Sequence, residues 1–186
     1  MAFKNVLIAA CALAASTVVA AAFELKSPDI APGGGAIAET FVYNGFGCAG
    51  GDLSPALVWK NPPEGTKSFA VLVHDQDAPT GGAGFWHWVV YDIPASATGL
   101  PQGVGKDGKG LPAGAKQLTT DFGVPGYGGP CPPKGDKPHR YIFTVHALKV
   151  DKLGLPPDPT AALTGFMINA NSLGKASFTA RYGRAK

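Results

Sequence analysis

The sequence predicts an all-β domain with few short helices, an antiparallel Greek-key-type β-sandwich. Three observations predict it. Apolar and β-branched residues recur in strand-length runs with a two-residue period. Turn residues punctuate those runs, and glycine and proline supply 26 and 17 of the 186 residues. Only one segment carries the pattern of a helix. Hydrophobic residues make up 45% of the chain, enough for a sizeable core. No internal repeat or linker divides it, so residues 23–186 are expected to form one domain.

The chain opens with "MAFKNVLIAACALAASTVVAAAF". Lys4 precedes an apolar run, and small residues stand at Ala20 and Ala22. This reads as an export leader over residues 1–22, cut after Ala22, and predicts a periplasmic or secreted protein. The alternatives are an uncleaved anchor, for which the run is short, and lipid attachment at Cys11, for which the preceding apolar stretch is shorter still.

Strand-like runs follow in order. They are Glu39–Gly45, Ala56–Lys60, Ser68–Asp75, Gly84–Pro94, His139–Val150 and Lys175–Gly183. Asp158–Gly174 reads as the helix, with Asp158 as N-cap and Gly174 as its stop. The glycine-rich stretch 95–126 reads as mostly loop.

Past the leader, two cysteines remain, Cys48 and Cys131. In an exported protein they are expected to pair, and closing so long a loop contributes on the order of 4 kcal/mol in the chain-entropy account. Two buried free thiols are the alternative. The net charge of +3 is small and its Lys and Arg residues are scattered, which argues against a nucleic-acid partner.

The two-residue period places chemistry at strand ends. Phe69, Val71, Val73 and Asp75 share a face. So do Phe85, His87, Val89 and Tyr91, and so do His139, Tyr141, Phe143, Val145 and Ala147. Asp75 ends its strand, whereas His87 and His139 begin theirs. Antiparallel pairing would gather all three at one mouth, with Asp77 alternating beside Asp75. Four readings fit this set. Two imidazoles can bind a phosphate-like anion, helped by turn amides near Cys131 that the stiff "YGGPCPPKGDKP" loop would hold rigid. Two His and two Asp can ligate zinc or iron, though the spacing matches no compact motif. Acid–base catalysis lacks a nucleophile, since no G-x-S-x-G elbow is present. Finally, each residue can be merely structural. Trp59, Trp86, Trp88, Phe85 and Tyr141 can wall the pocket or simply fill the core. His74 and His146 fall on the opposite face and read as structural.

"DQDAPTGGAGFWHWVVYDIP" and "YGGPCPPKGDKPHRYIFTVHAL" resemble the two signature regions of the phosphatidylethanolamine-binding protein family, in its bacterial Raf-kinase-inhibitor-like branch. "LSPALVW" and "PPEGTKSFAVLVHD" are similar to the same branch. The resemblance implies a β-sandwich with a small anion pocket at one end. It implies pocket positions at Asp75, Asp77, His87, Cys131 (through its amide), His139 and Tyr141. It implies a phosphorylated ligand such as a lipid headgroup, a regulatory rather than enzymatic role, and no cofactor. It is also compatible with a protein-inhibitor role, a protein partner and a homodimer. Where the family has proline between its two aspartates this chain has Gln76, and the Thr80–Gly84 loop is short.

Overall fold

The structure, a computed structural model, describes residues 21–186. The leader expected at 1–22 falls almost wholly outside them, as does Cys11. The strands are β1 (Glu24–Lys26), β2 (Asn44–Gly45), β3 (Cys48–Ala49), β4 (Leu57–Lys60), β5 (Ser68–Asp75), β6 (Phe85–Pro94), β7 (Gly99–Leu100), β8 (Lys116–Gln117), β9 (His139–Leu148) and β10 (Ser172–Tyr182); the helix α1 is Ala161–Asn171. The main sheet has the order β10-β9-β5-β6-β8, the second the order β1-β4-β7, and β2 and β3 form a separate hairpin. All the strand pairs are antiparallel.

The long apolar runs dictate this arrangement. β5 is buried along nearly its whole length, as the central strand of a sheet covered on both faces must be. On one face Phe69, Val71, Val73, Phe143 and Val145 meet Leu25, Leu57, Trp59 and Leu100 of the second sheet, forming the main core. On the other face Ala70, Val89, Tyr91 and Leu148 pack with Leu153 and with Ile168 of α1. Trp59 and Trp88 belong to the main core, and Trp86 packs against the opposite face.

Four expectations change. Glu39–Gly45 is not one strand: residues 39–41 form a 3-10 turn and only Asn44–Gly45 pairs. The Leu53, Gly51 and Asp52 amides bond back to Thr40, Glu39 and Val42, so this segment winds on itself. The helix starts at Ala161, where Thr160 Oγ1 accepts from the Leu163 amide. Asp158 precedes Pro159 and sits at φ 48°, where it cannot cap. Gly174 does not stop the helix, which passes directly into β10 at Ser172; Gly174 lies in that strand beside a bulge.

The largest change concerns β6. Val73 faces Trp88 but His74 faces Trp86, so His87 is one extra residue. That bulge reverses the alternation beyond it. Phe85 and His87 stay at the site, whereas Val89 and Tyr91 turn to the helix-covered face and Trp88 and Val90 enter the main core. A strict two-residue period cannot anticipate this.

His146 is buried on the helix side, where its Nδ1 meets Ser172 Oγ at 3.1 Å. Burial, then the Lys175 charge, lowers its pKa from 6.5 to about 4. A histidine held neutral in the folded state but free to protonate when unfolded makes stability fall with pH. The loss begins near pH 6.5 and grows until about pH 4. His146→Gln should therefore flatten the acid limb of a denaturant-derived stability profile, by on the order of 3 kcal/mol near pH 4. A profile of unchanged slope would contradict this account.

Cys48 and Cys131 form a disulfide, tying the β2–β3 hairpin to the proline-rich loop. Denatured, unreduced protein beginning at Phe23 should titrate no thiol, and reduction should release two. Two thiols before reduction would contradict the pairing.

Candidate ligand-binding site

Antiparallel pairing on both sides of β5 brings the predicted strand ends together. Asp75 lies between Phe85 of β6 and Tyr141 of β9. Its carboxylate is buried and accepts twice: Oδ2 takes His139 Nδ1–H at 2.7 Å, and Oδ1 takes the Asp77 amide at 2.9 Å. With Nδ1 so engaged, His139 Nε2 is the ring nitrogen left for a ligand; it lies 3.4 Å from Asp136 Oδ2.

His87 arrives on the bulge. Its Nδ1 donates to Gly128 O at 2.7 Å, and the Gly128 amide donates back to His87 O. This fixes the tautomer and leaves Nε2 without a hydrogen-bond partner among the described residues. The ring stands edge-on to Tyr141 and Phe122, with centroids 5.1 and 5.3 Å away. Burial, opposed in part by the Gly128 carbonyl, lowers the His87 pKa from 6.5 to about 4. At neutral pH its Nε2 therefore accepts rather than donates. Gly128 has to be glycine here, because a Cβ would sit 2.4 Å from the Phe122 ring.

Asp75, His87, Cys131 and His139 line one cavity of about 230 Å³, with Phe46, Phe85, Phe122, Pro132 and Pro133 among its apolar walls. No acceptor among the described residues takes the Cys131 amide hydrogen. The lining hydroxyl, Thr80, donates to Gly84 O, and Cys131 is in the disulfide, so the wall offers no activated nucleophile. Among the described residues, no three of His, Cys, Asp and Glu gather as a metal-binding group. A larger hollow of about 680 Å³ between β8 and the prolines at 156, 157 and 159 contains none of the six expected ligand residues.

Two of the six expected residues stand outside the cavity wall. Asp77 turns away and grips Arg140: the Arg140 Nε and Nη2 atoms and the Arg140 amide all donate to its carboxylate, at 2.6 to 3.2 Å. These bonds lower its pKa to about 2. Tyr141 lies beneath His87 and Asp75. Its hydroxyl is buried without a hydrogen-bond partner, and burial followed by the Asp75 charge raises its pKa. Trp59, Trp86 and Trp88 do not line the cavity. The aromatic wall comes instead from Phe46, Phe85 and Phe122, two of them in short loops with no periodicity to expose them. The only sequence signal at those two is the glycine beside each, in "NGFG" and "DFG".

A sequence model described as phosphatidylethanolamine-binding protein matches residues 27–183. YbcL of Escherichia coli (strain K12) is 52% identical over 164 residues, covering 88% of each chain. YbhB of the same strain is 48% identical over 141 residues, which is 76% of this chain and 88% of the relative. The crystal structure of E. coli YbcL, described as a new member of the mammalian PEBP family, is similar with a TM-score of 0.83 and 51% identity. That match covers 88% of this chain and 99% of the other. With this fold and these relatives, the chain belongs to the phosphatidylethanolamine-binding protein family.

Proposed function

We propose that this chain binds a small anion, phosphate or a phosphorylated headgroup, in the cavity between His87 and His139. Its role is regulatory rather than catalytic, and it works in an oxidising compartment outside the cytoplasm. The observation that carries the reading is the pair of imidazoles lining one small cavity, each with Nδ1 committed to the protein, His87 Nε2 without a partner among the described residues and His139 Nε2 3.4 Å from Asp136. The Cys131 amide is a backbone donor of the right kind beside them. The absence of an activated nucleophile in the wall supports binding without turnover, and the disulfide supports the compartment.

Proton linkage follows from the chemistry. A neutral His87 Nε2 presents a lone pair, which repels a fully deprotonated anion. Binding such an anion draws a proton onto the ring, whereas a ligand with a P–OH group brings its own. Sulfate, which stays a dianion in this range, separates the cases. Its affinity should strengthen as pH falls from 7 toward 5, approaching roughly tenfold per pH unit for one proton taken up. His87→Ala should weaken sulfate at least tenfold and flatten the slope. A pH-independent sulfate affinity would rule out this linkage.

The direct experiment is an NMR titration of the imidazole resonances with phosphorylethanolamine, with inorganic phosphate alongside. Saturable shifts are expected at His87 and His139, with His74 and His146 unmoved. No shift at millimolar ligand would remove the small-anion reading altogether.

A further inference from the structure

β8 closes one edge of the main sheet, with β6 as its one partner strand among the described residues. The Leu118 amide donates to Val89 O, so residue 118 turns its backbone toward β6. Along an antiparallel ladder the backbone groups alternate sides, which turns the N–H and C=O of Gln117 and Thr119 outward. None of these four groups bonds to another backbone group among the described residues. The edge therefore presents two donors and two acceptors in a row, the arrangement that pairs with another strand.

The hollow of about 680 Å³ lies along this edge, and Gln117 and Thr119 are among its lining residues. Leu118, Leu155 and Pro157 give it apolar walls, and the prolines keep the far side stiff. Tyr91 also lines it. That side chain is only 5% exposed, yet its hydroxyl has no hydrogen-bond partner among the described residues. Burial, then the charges of Asp92 and Asp158, raise its pKa, so at neutral pH the hydroxyl is a donor. Asp158 is held between two prolines at φ 48°, a costly conformation for a residue other than glycine. Asp158 and Lys116 are both exposed and both line the hollow, one charge of each sign.

We propose that the outer edge of β8 and this hollow form a docking groove for an extended segment of another protein, which joins the main sheet as a further strand. Two residues two apart, each offering a donor and an acceptor, match an extended backbone and no compact ligand. Side chains alternate along such a strand, so its residue opposite Leu118 turns onto the same face and into the hollow. An apolar side chain there meets Leu118, Leu155 and Pro157, while a polar neighbour reaches the Tyr91 hydroxyl. Lys116 and Asp158 together disfavour a segment of uniform charge. A second copy is a poorer occupant, because the Lys116 and Leu118 of its own β8 already line its own hollow. The groove shares no residue with the cavity between His87 and His139, so it stands whatever that cavity binds.

The test selects a phage-displayed library of random peptides on the wild-type protein and measures the best binders by fluorescence polarisation. The selected peptides should share an alternating pattern with apolar residues two apart. Hydrogen exchange of the complex should show the Gln117 and Thr119 amides protected at least tenfold more than in the free protein. Thr119→Pro removes an outward N–H that the fold does not use, at an edge where proline is tolerated. It should leave the melting temperature unchanged and weaken the peptides at least tenfold. His87→Ala should bind them like the wild type, and sulfate should not compete, so failure of the cavity reading leaves this one intact. The proposal is overturned if no peptide survives selection, if Thr119→Pro binds undiminished, or if the two amides gain no protection in the complex. Binding abolished in His87→Ala would assign the peptides to the cavity and overturn it as well. Protection of the same amides in the free protein, rising with protein concentration, would give the edge to a second copy instead.

Discussion

A carboxylate buried at the end of the central strand must have every strong partner in place. Asp75 has them in His139 Nδ1 and the Asp77 amide. The first bond joins the end of β5 to the start of β9 and orients the imidazole. The second starts the turn that carries Asp77 out to Arg140. The row Tyr141–Asp75–Phe85 across three strands then sets where His87 must arrive. Fold and site are therefore one arrangement: a residue that satisfies Asp75 also lines the cavity.

The loop from Tyr127 to Pro138 supplies the other wall, and its odd composition has a physical use. Prolines give up amide donors, but their carbonyls are taken: Pro130 O receives the Tyr43 amide and Pro132 O receives Arg184. Tyr127 Oη donates to Phe41 O, and the Gly129 amide donates to Asp52. The disulfide adds a covalent tie at Cys131. Almost every step of the loop is anchored, so the wall is shaped before any ligand comes and little further ordering entropy is lost.

Much of this was legible in the sequence. Ser68–Asp75 is a strand over the very residues its pattern indicated, and the strand ends carrying Asp75, His87 and His139 do converge. Those signals rest on long periodic runs. Where a run is short, the pattern has no second period to confirm it, and Glu39–Gly45 was read as a strand although it winds on itself. Phe46 and Phe122 stayed hidden because a loop aromatic has no periodicity at all. Asp77 shows a different limit. Alternation placed it beside Asp75, but the strand ends at Asp75 and the chain turns there. The alternation of Val89 and Tyr91 failed for one countable reason, the extra residue at position 87.

That extra residue makes the segment intolerant of changes in length rather than in identity. Phe85 lines the cavity and Trp88 enters the main core from the same face of the sheet although their positions differ by three, and the insertion between them allows it. Deleting one residue there would restore regular pairing and lose the imidazole together with its Gly128 contact. Adding one would rotate Trp88 out of the core. Natural variation that preserves this cavity should therefore run through substitutions in Phe85–Pro94, with insertions and deletions confined to the loops on either side.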